Sequence, residues 1–116
     1  MKVFKFGGAS VNSVERIKSV GKILQQYTGE NLLVVISAMG KTTNALEKVV
    51  QAFYEKRNEE ALQLFEQVKQ QHLNTVKYLL VTHSLDCEQQ LKDFFTEVEW
   101  MLHDKPVREF LYSLMV

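Results

Sequence analysis

Two short stretches carry residue types that can handle an anion. Lys5-Phe6-Gly7-Gly8-Ala9-Ser10 ends a β-like run in two consecutive glycines, with a lysine two positions before them. Ser37-Ala38-Met39-Gly40-Lys41-Thr42-Thr43-Asn44 follows a second β-like run with hydroxyls, a glycine and the start of a helical pattern. Glycines let backbone N–H groups approach an anion closely, and a helix start adds partial positive charge. The Lys5 ammonium, near the carboxyl end of its strand, can reach over the glycines to phosphate oxygens and neutralise charge as a phosphoryl group moves. Together the two stretches read as a site for phosphate and a small polar molecule. Each residue also has a plainer reading. Lys5 can be a solvated strand lysine, Gly7-Gly8 an ordinary turn, and Ser10, Asn12 and Ser13 helix caps.

Such residues act together only if the chain brings them to one place. Lys2 to Phe6 is predicted as a strand with Phe4 and Phe6 on one face and Val3 and Lys5 on the other. Asn12 with Glu15 makes a capping-box-like start, and Val14, Ile17, Val20, Gly21 and Leu24 then recur at helical spacing to about Tyr27. Leu32 to Ile36 is a continuous branched apolar run, which suits a strand buried on both faces of a parallel sheet. A β-α-β crossover makes the two strands parallel, so the loops after Phe6 and Ile36 emerge at the same sheet edge, where open α/β folds bind ligands. From about Thr42 the pattern is helical. Leu46, Val49, Val50 and Phe53 form one stripe; a helix from about Asn58 carries Leu62, Phe65, Val68, Leu73, Val76 and Leu80. Another starts near Ser84 or Asp86 and carries Leu91, Phe94, Phe95, Val98 and Met101 or Leu102. Phe94, Phe95 and Trp100 are expected in the core. Asp104 before Pro106 announces a further helix, and the sequence stops inside its apolar pattern, so a truncated chain with more strands after Val116 is expected.

Composition removes several classes. With 116 residues, 46% of them apolar, one modest core in a single soluble unit is expected. Fourteen basic residues balance fourteen acidic ones, so no overall field draws nucleic acid or an anionic membrane, and any anion must be held by local geometry. The one cysteine, Cys87, excludes an internal disulfide and suits a reducing compartment; its expected role is packing. The apolar run Leu32–Ile36 is far shorter than the ~20 residues that span a bilayer, and no secretory h-region precedes it, which together give a cytoplasmic expectation. Gly40-Lys41-Thr42 imitates the end of a Walker A loop, but the leading glycine position is Val35. The dinucleotide pattern G-x-G-x-x-G is absent from Gly7–Asn12. His72, His83 and His103 fall on separate segments and His83 with Cys87 is an isolated pair, so no metal site is expected and the histidines read as solvated or capping. Glu55–Glu60 reads as a solvated helix junction.

With these residues in view, Lys5–Ser10 followed by Val34–Leu46 resembles the opening of aspartate kinases of the amino-acid kinase superfamily, whose first motif reads K-F-G-G-T-S. The resemblance implies the N-terminal part of a three-layer α/β/α sandwich, with a β-α-β unit and its phosphate loops over residues 1–41 and a helical segment over 42–116. It implies transfer of the γ-phosphoryl of ATP, with Mg²⁺ bound through the nucleotide, to the side-chain carboxylate of L-aspartate. Lys5 matches the lysine that stabilises the transferring group, Gly7 and Gly8 the backbone cradle with Ser10 beside it, Ser37 the serine ending the second strand, and Thr43 the hydroxyl residue that contacts aspartate. Ala9 departs from the usual threonine, which removes a side-chain hydroxyl there and spares the backbone contacts. A homo-oligomeric parent, an inactive isolated fragment, and adenine-binding, acidic and regulatory parts beyond Val116 are implied in the same way. A homoserine dehydrogenase fused downstream is also compatible. Two competing readings remain: a related kinase acting on glutamate, acetylglutamate or carbamate, and a non-catalytic nucleotide-binding or interaction module.

Overall fold

The computed structural model describes residues 1–104; the helix expected beyond Asp104 lies outside the described residues. Two compact units divide the chain, Met1–Thr42 and a second beginning at Thr43. The apolar side chains collect into two clusters, one per unit, where the length alone suggested one.

In the first unit, β1 (Lys2–Phe6) runs parallel to β2 (Leu32–Ile36), with Lys2 opposite Leu32 and Phe6 opposite Ile36. Between them lie a 3₁₀ turn, Gly8–Val11, and α1 (Val14–Gln25). The parallel pair with its crossover helix, followed by helices, is the expected α/β arrangement. Strand alternation sends Phe4, Phe6 and Val34 toward α1, where they pack with Val11, Ile17, Val20 and Leu24. The start of β1 is tied down: Lys2 N–H donates to the Asn31 carbonyl at 3.0 Å, and Lys2 Nζ lies 3.3 Å from Glu30 and 4.7 Å over the Tyr27 ring.

Three sequence readings need correction here. The cap of α1 is Ser13, whose hydroxyl accepts from Arg16 N–H at 3.2 Å; Asn12 instead closes the 3₁₀ turn, which no periodicity announced. Gly21 is exposed and has open space where a Cβ would stand, so it belongs to the outer side of α1. β2 is half-buried at Leu32 and Val34 on one face only: Leu33 and Val35 are 49% and 44% exposed, beside the exposed Val3, and Ile36 at the strand end is exposed too. Among the described residues one crossover helix covers one face of the two-stranded sheet, and Val3, Leu33 and Val35 point to the other, whereas Ile36, opposite Phe6, is exposed because it sits at the end of the covered face.

The second unit holds α2 (Thr42–Tyr54, its first residue shared with the end of the first unit), α3 (Asn58–Leu79) and α4 (Ser84–Leu102). Their stripes meet in a core of Val49, Phe53, Ala61, Phe65, Phe95 and Leu102, with Phe65 and Phe95 edge to face at 5.7 Å. His72 is half-buried, its Nδ1 2.8 Å from the Val68 carbonyl and its ring 6.2 Å from Phe95, so it is a packed histidine and not a solvated one. Lys69 reaches from α3 to Glu99 on α4 at 2.9 Å, and that hydrogen bond raises the Lys69 pKa above its ordinary value. At the α2–α3 junction Arg57 pairs with Glu55 and Glu60 and holds the Glu55 carboxyl below its ordinary pKa, on a fully solvated surface as expected. Asn58 Nδ2 donates to the Leu102 carbonyl at 2.9 Å and to that of Asp104 at 3.4 Å, joining the first turn of α3 to the end of α4.

Phe94 and Trp100, expected inside, are 65% and 70% exposed. Neighbouring positions on a helix are turned about 100° apart, and Phe95 takes the inward place in line with Leu91, Val98 and Leu102. Cys87 is half-buried, and among the described residues no helix is long and apolar enough to cross a membrane.

Candidate functional site

Parallel pairing in this register delivers both loops to one end of the sheet. Beyond the paired Phe6 and Ile36, Ser37 N–H donates to the Phe6 carbonyl at 2.9 Å, so the first residue of the second loop is held against the last residue of β1. Gly7 continues in extended backbone at φ −76°, ψ 174°, and its carbonyl accepts from Ser10 N–H at 3.0 Å as the chain tightens into the 3₁₀ turn. A second bond joins the loops: Gly40 N–H donates to the Gly8 carbonyl at 3.2 Å. The structure therefore brings Gly7, Gly8, Ser10 and Ser37 together, within the first unit.

The two adjacent glycines face different surroundings. A Cβ on Gly8 would stand 2.7 Å from the Gly40 carbonyl oxygen and 3.2 Å from that of Ala38, both backbone atoms that cannot swing aside. A Cβ on Gly7 would meet only open space. Close packing of backbone on backbone thus accounts for Gly8, and leaves the space over Gly7 clear for something to approach.

Lys5 is exposed, sits opposite Val35 and projects on the sheet face away from α1. Among the described residues no carboxylate lies within 4.0 Å of its ammonium, in contrast to Lys2 and Lys69, which are committed to Glu30 and Glu99. The second loop closes on itself: the Met39 carbonyl accepts from both the N–H and the hydroxyl of Thr42, which leaves Thr42 as a buried and satisfied loop anchor. The hydroxyl proton of this Thr in the Walker-like Gly40-Lys41-Thr42 is therefore used structurally. Thr43 is exposed in the first turn of α2 and belongs to the second unit. Beside the loops an open groove of about 460 Å³ runs between Phe6, Ser10 and the Arg16, Ser19 and Ile23 side of α1; Gly7, Gly8 and Ser37 do not line it.

One signal lay in the sequence and needed the division into units to be read. Residues 1–42 hold six basic side chains, Lys2, Lys5, Arg16, Lys18, Lys22 and Lys41, against only Glu15 and Glu30. The unit that carries the loops is cationic although the chain as a whole is neutral, which favours an anionic ligand. Open backbone at Gly7, a lysine with no carboxylate partner among the described residues and a cationic surround fit an anionic, phosphate-bearing ligand. Among the described residues no three His, Cys, Asp or Glu side chains come together to hold a metal ion.

The chain is 37% identical to aspartokinase 1, chloroplastic, of Arabidopsis thaliana over 122 aligned residues, which is 96% of this chain and 20% of that protein. It is 41% identical to aspartokinase 2, chloroplastic, of the same plant over 81 residues (66% of the chain, 14% of that protein), and 54% identical to the aspartokinase of Bacillus sp. (strain MGA3) over 46 residues (38% and 11%). The chain thus spans a fifth or less of the length of these relatives. The model of the amino acid kinase family matches residues 1–101, across both strands and both loops, and on that match the chain belongs to the amino acid kinase family.

Proposed function

We propose that this chain is part of an aspartate kinase, which moves the γ-phosphoryl of ATP to the side-chain carboxylate of L-aspartate. The observation that carries the reading is the pinning of two loops at one sheet end, through Ser37 to Phe6 and Gly40 to Gly8, beside a lysine that has no carboxylate partner among the described residues. The relatives named aspartokinase support the choice of aspartate. In this scheme Gly7 and Gly8 offer backbone N–H groups to the β- and γ-phosphates, with Ser10 beside them, and Lys5 neutralises charge on the group in flight. Ser37 and Thr43 orient the acceptor. A carboxylate acceptor is already ionised near neutral pH, so no side chain has to act as a base, and the residues work by position and charge. Mg²⁺, held through ATP when bound, would supply further charge neutralisation at the phosphates.

The same proposal assigns residues 1–41 and 42–116 to one incomplete kinase domain in a homo-oligomeric parent, and holds that these 116 residues alone do not turn over. A single cysteine suits the reducing cytoplasm. The whole protein is expected to form ADP in a coupled assay only when aspartate is added, and Lys5→Ala to lower kcat by about 10²–10³-fold with an unchanged circular dichroism spectrum. Unaltered kcat in that variant would remove Lys5 from the mechanism. ADP formation with glutamate, acetylglutamate or carbamate in place of aspartate would move the protein to a sister activity, and nucleotide binding without any turnover would make it a binding module.

A further inference from the structure

The reading above leaves Gly40 without a role, yet its backbone geometry ties it to Gly8. It holds φ at +55°, a left-handed conformation that a side chain disfavours, and this turn aims its N–H at the Gly8 carbonyl. Its own carbonyl fills the space that a Cβ on Gly8 would need. The two glycines therefore require one another: Gly40 supplies the turn, and Gly8 supplies the room for it. With the Ser37 to Phe6 bond, the contact closes a ring of backbone from Phe6 through Gly8, across to Gly40 and back to Ser37. Of the three glycines in that ring, only Gly7 would have open space around an added Cβ, and its extended backbone is one that any residue can adopt.

We propose that Gly40 is a positioning residue: through its bond to Gly8 it sets the separation between the amides of the Gly7-Gly8 loop and Ser37. Resting on the kinase reading, the proposal means that Gly40 fixes how far phosphoryl donor and acceptor stand apart. Each loop can still bind its own ligand when the contact is loosened, so the loss falls on the chemical step. The neighbouring Asn12 does not enforce the glycine, because a Cβ at position 40 would meet Asn12 Cβ at an ordinary 3.5 Å. The backbone angle is what matters. Asparagine tolerates the left-handed region far better than alanine does.

The test uses the whole protein. Gly40→Ala is expected to lower kcat about tenfold while the KM values for ATP and aspartate move by about twofold or less, and Gly40→Asn to recover most of the loss. A residue that only supports folding would instead lower the melting temperature and leave kcat per folded molecule unchanged, and that result overturns the proposal. Amide hydrogen exchange gives a readout that does not need activity. The Gly40 N–H is expected to be protected in the wild type and unprotected in Gly8→Ala. If the wild-type protein has no aspartate-dependent turnover, the functional reading fails, while protection of Gly40 that is lost in Gly8→Ala still upholds the clamp. A freely exchanging Gly40 amide in the wild type sinks the clamp whatever the kinetics.

Discussion

The two units of this chain solve opposite problems. Residues 1–42 carry six basic side chains against two acidic ones, whereas residues 43–116 carry eight basic against twelve acidic, so the neutrality of the whole conceals a cationic part and an anionic part. Packing divides the same way. Three buried residues, Phe6, Val11 and Val20, anchor the first unit, and among the described residues one sheet face is left exposed; nine anchor the second, with Phe53 and Leu102 almost wholly enclosed. Where side-chain burial is thin, the first unit relies on backbone meeting backbone at Gly8 and Gly40. The difference teaches where to look for each property: ligand chemistry where cations and bare backbone are concentrated, and resistance to unfolding where aromatic and branched side chains interlock.

That division can be broken by measurement. The largest effect is expected from Phe53→Ala, which should cost about 3–5 kcal/mol in urea unfolding followed by far-ultraviolet circular dichroism, a signal dominated by α2, α3 and α4. A cost below about 1 kcal/mol would mean that the second core does not hold that unit together. A smaller loss, about 2 kcal/mol, is expected from Val20→Ala, read as faster amide exchange in β1 and β2. A loss as large as that of Phe53→Ala would erase the contrast between the cores.

The smallest effect belongs to the Lys69–Glu99 pair, for which a double-mutant cycle is expected to give about 0.2–1 kcal/mol. The Lys69 pKa is raised in the folded chain, so this contribution is complete below the unfolded value and is lost as pH rises through the higher folded one. Screening by salt at neutral pH is expected to weaken it, and strongly alkaline pH to abolish it. A coupling that survives at a pH well above the folded value would show that the lysine acts through its aliphatic stem.

Much of this was legible in the residues. Both strands and the start of each helix after Thr42 follow from runs and stripes of apolar residues, because local periodicity reports which side of an element meets a core. What escaped depends on partners far along the chain. The Phe94-Phe95 pair offers two equally apolar candidates for one inward position, and only the approach of α3 selects Phe95. The run Leu32–Ile36 announces burial without stating on how many sides. Lys5 was legible near the end of its strand, and Gly7, Gly8, Ser10 and Ser37 as loop residues, but the Gly8 to Gly40 bond links positions 32 apart and no local pattern encodes it. The positive bias of the first 42 residues was visible in the sequence and was averaged away by counting charge over the whole.

The bond from Asn58 to the Leu102 carbonyl has a geometric consequence. It makes neighbours of two residues 44 positions apart, so the α3–α4 hairpin departs and returns at one point. Nothing at that base fixes how long the arms are. Trimming one matched turn from each helix near the Leu80–His83 tip would leave both ends where they are, and grafting extra turns there would do the same. The hairpin is thus an arm of adjustable reach on a fixed anchor.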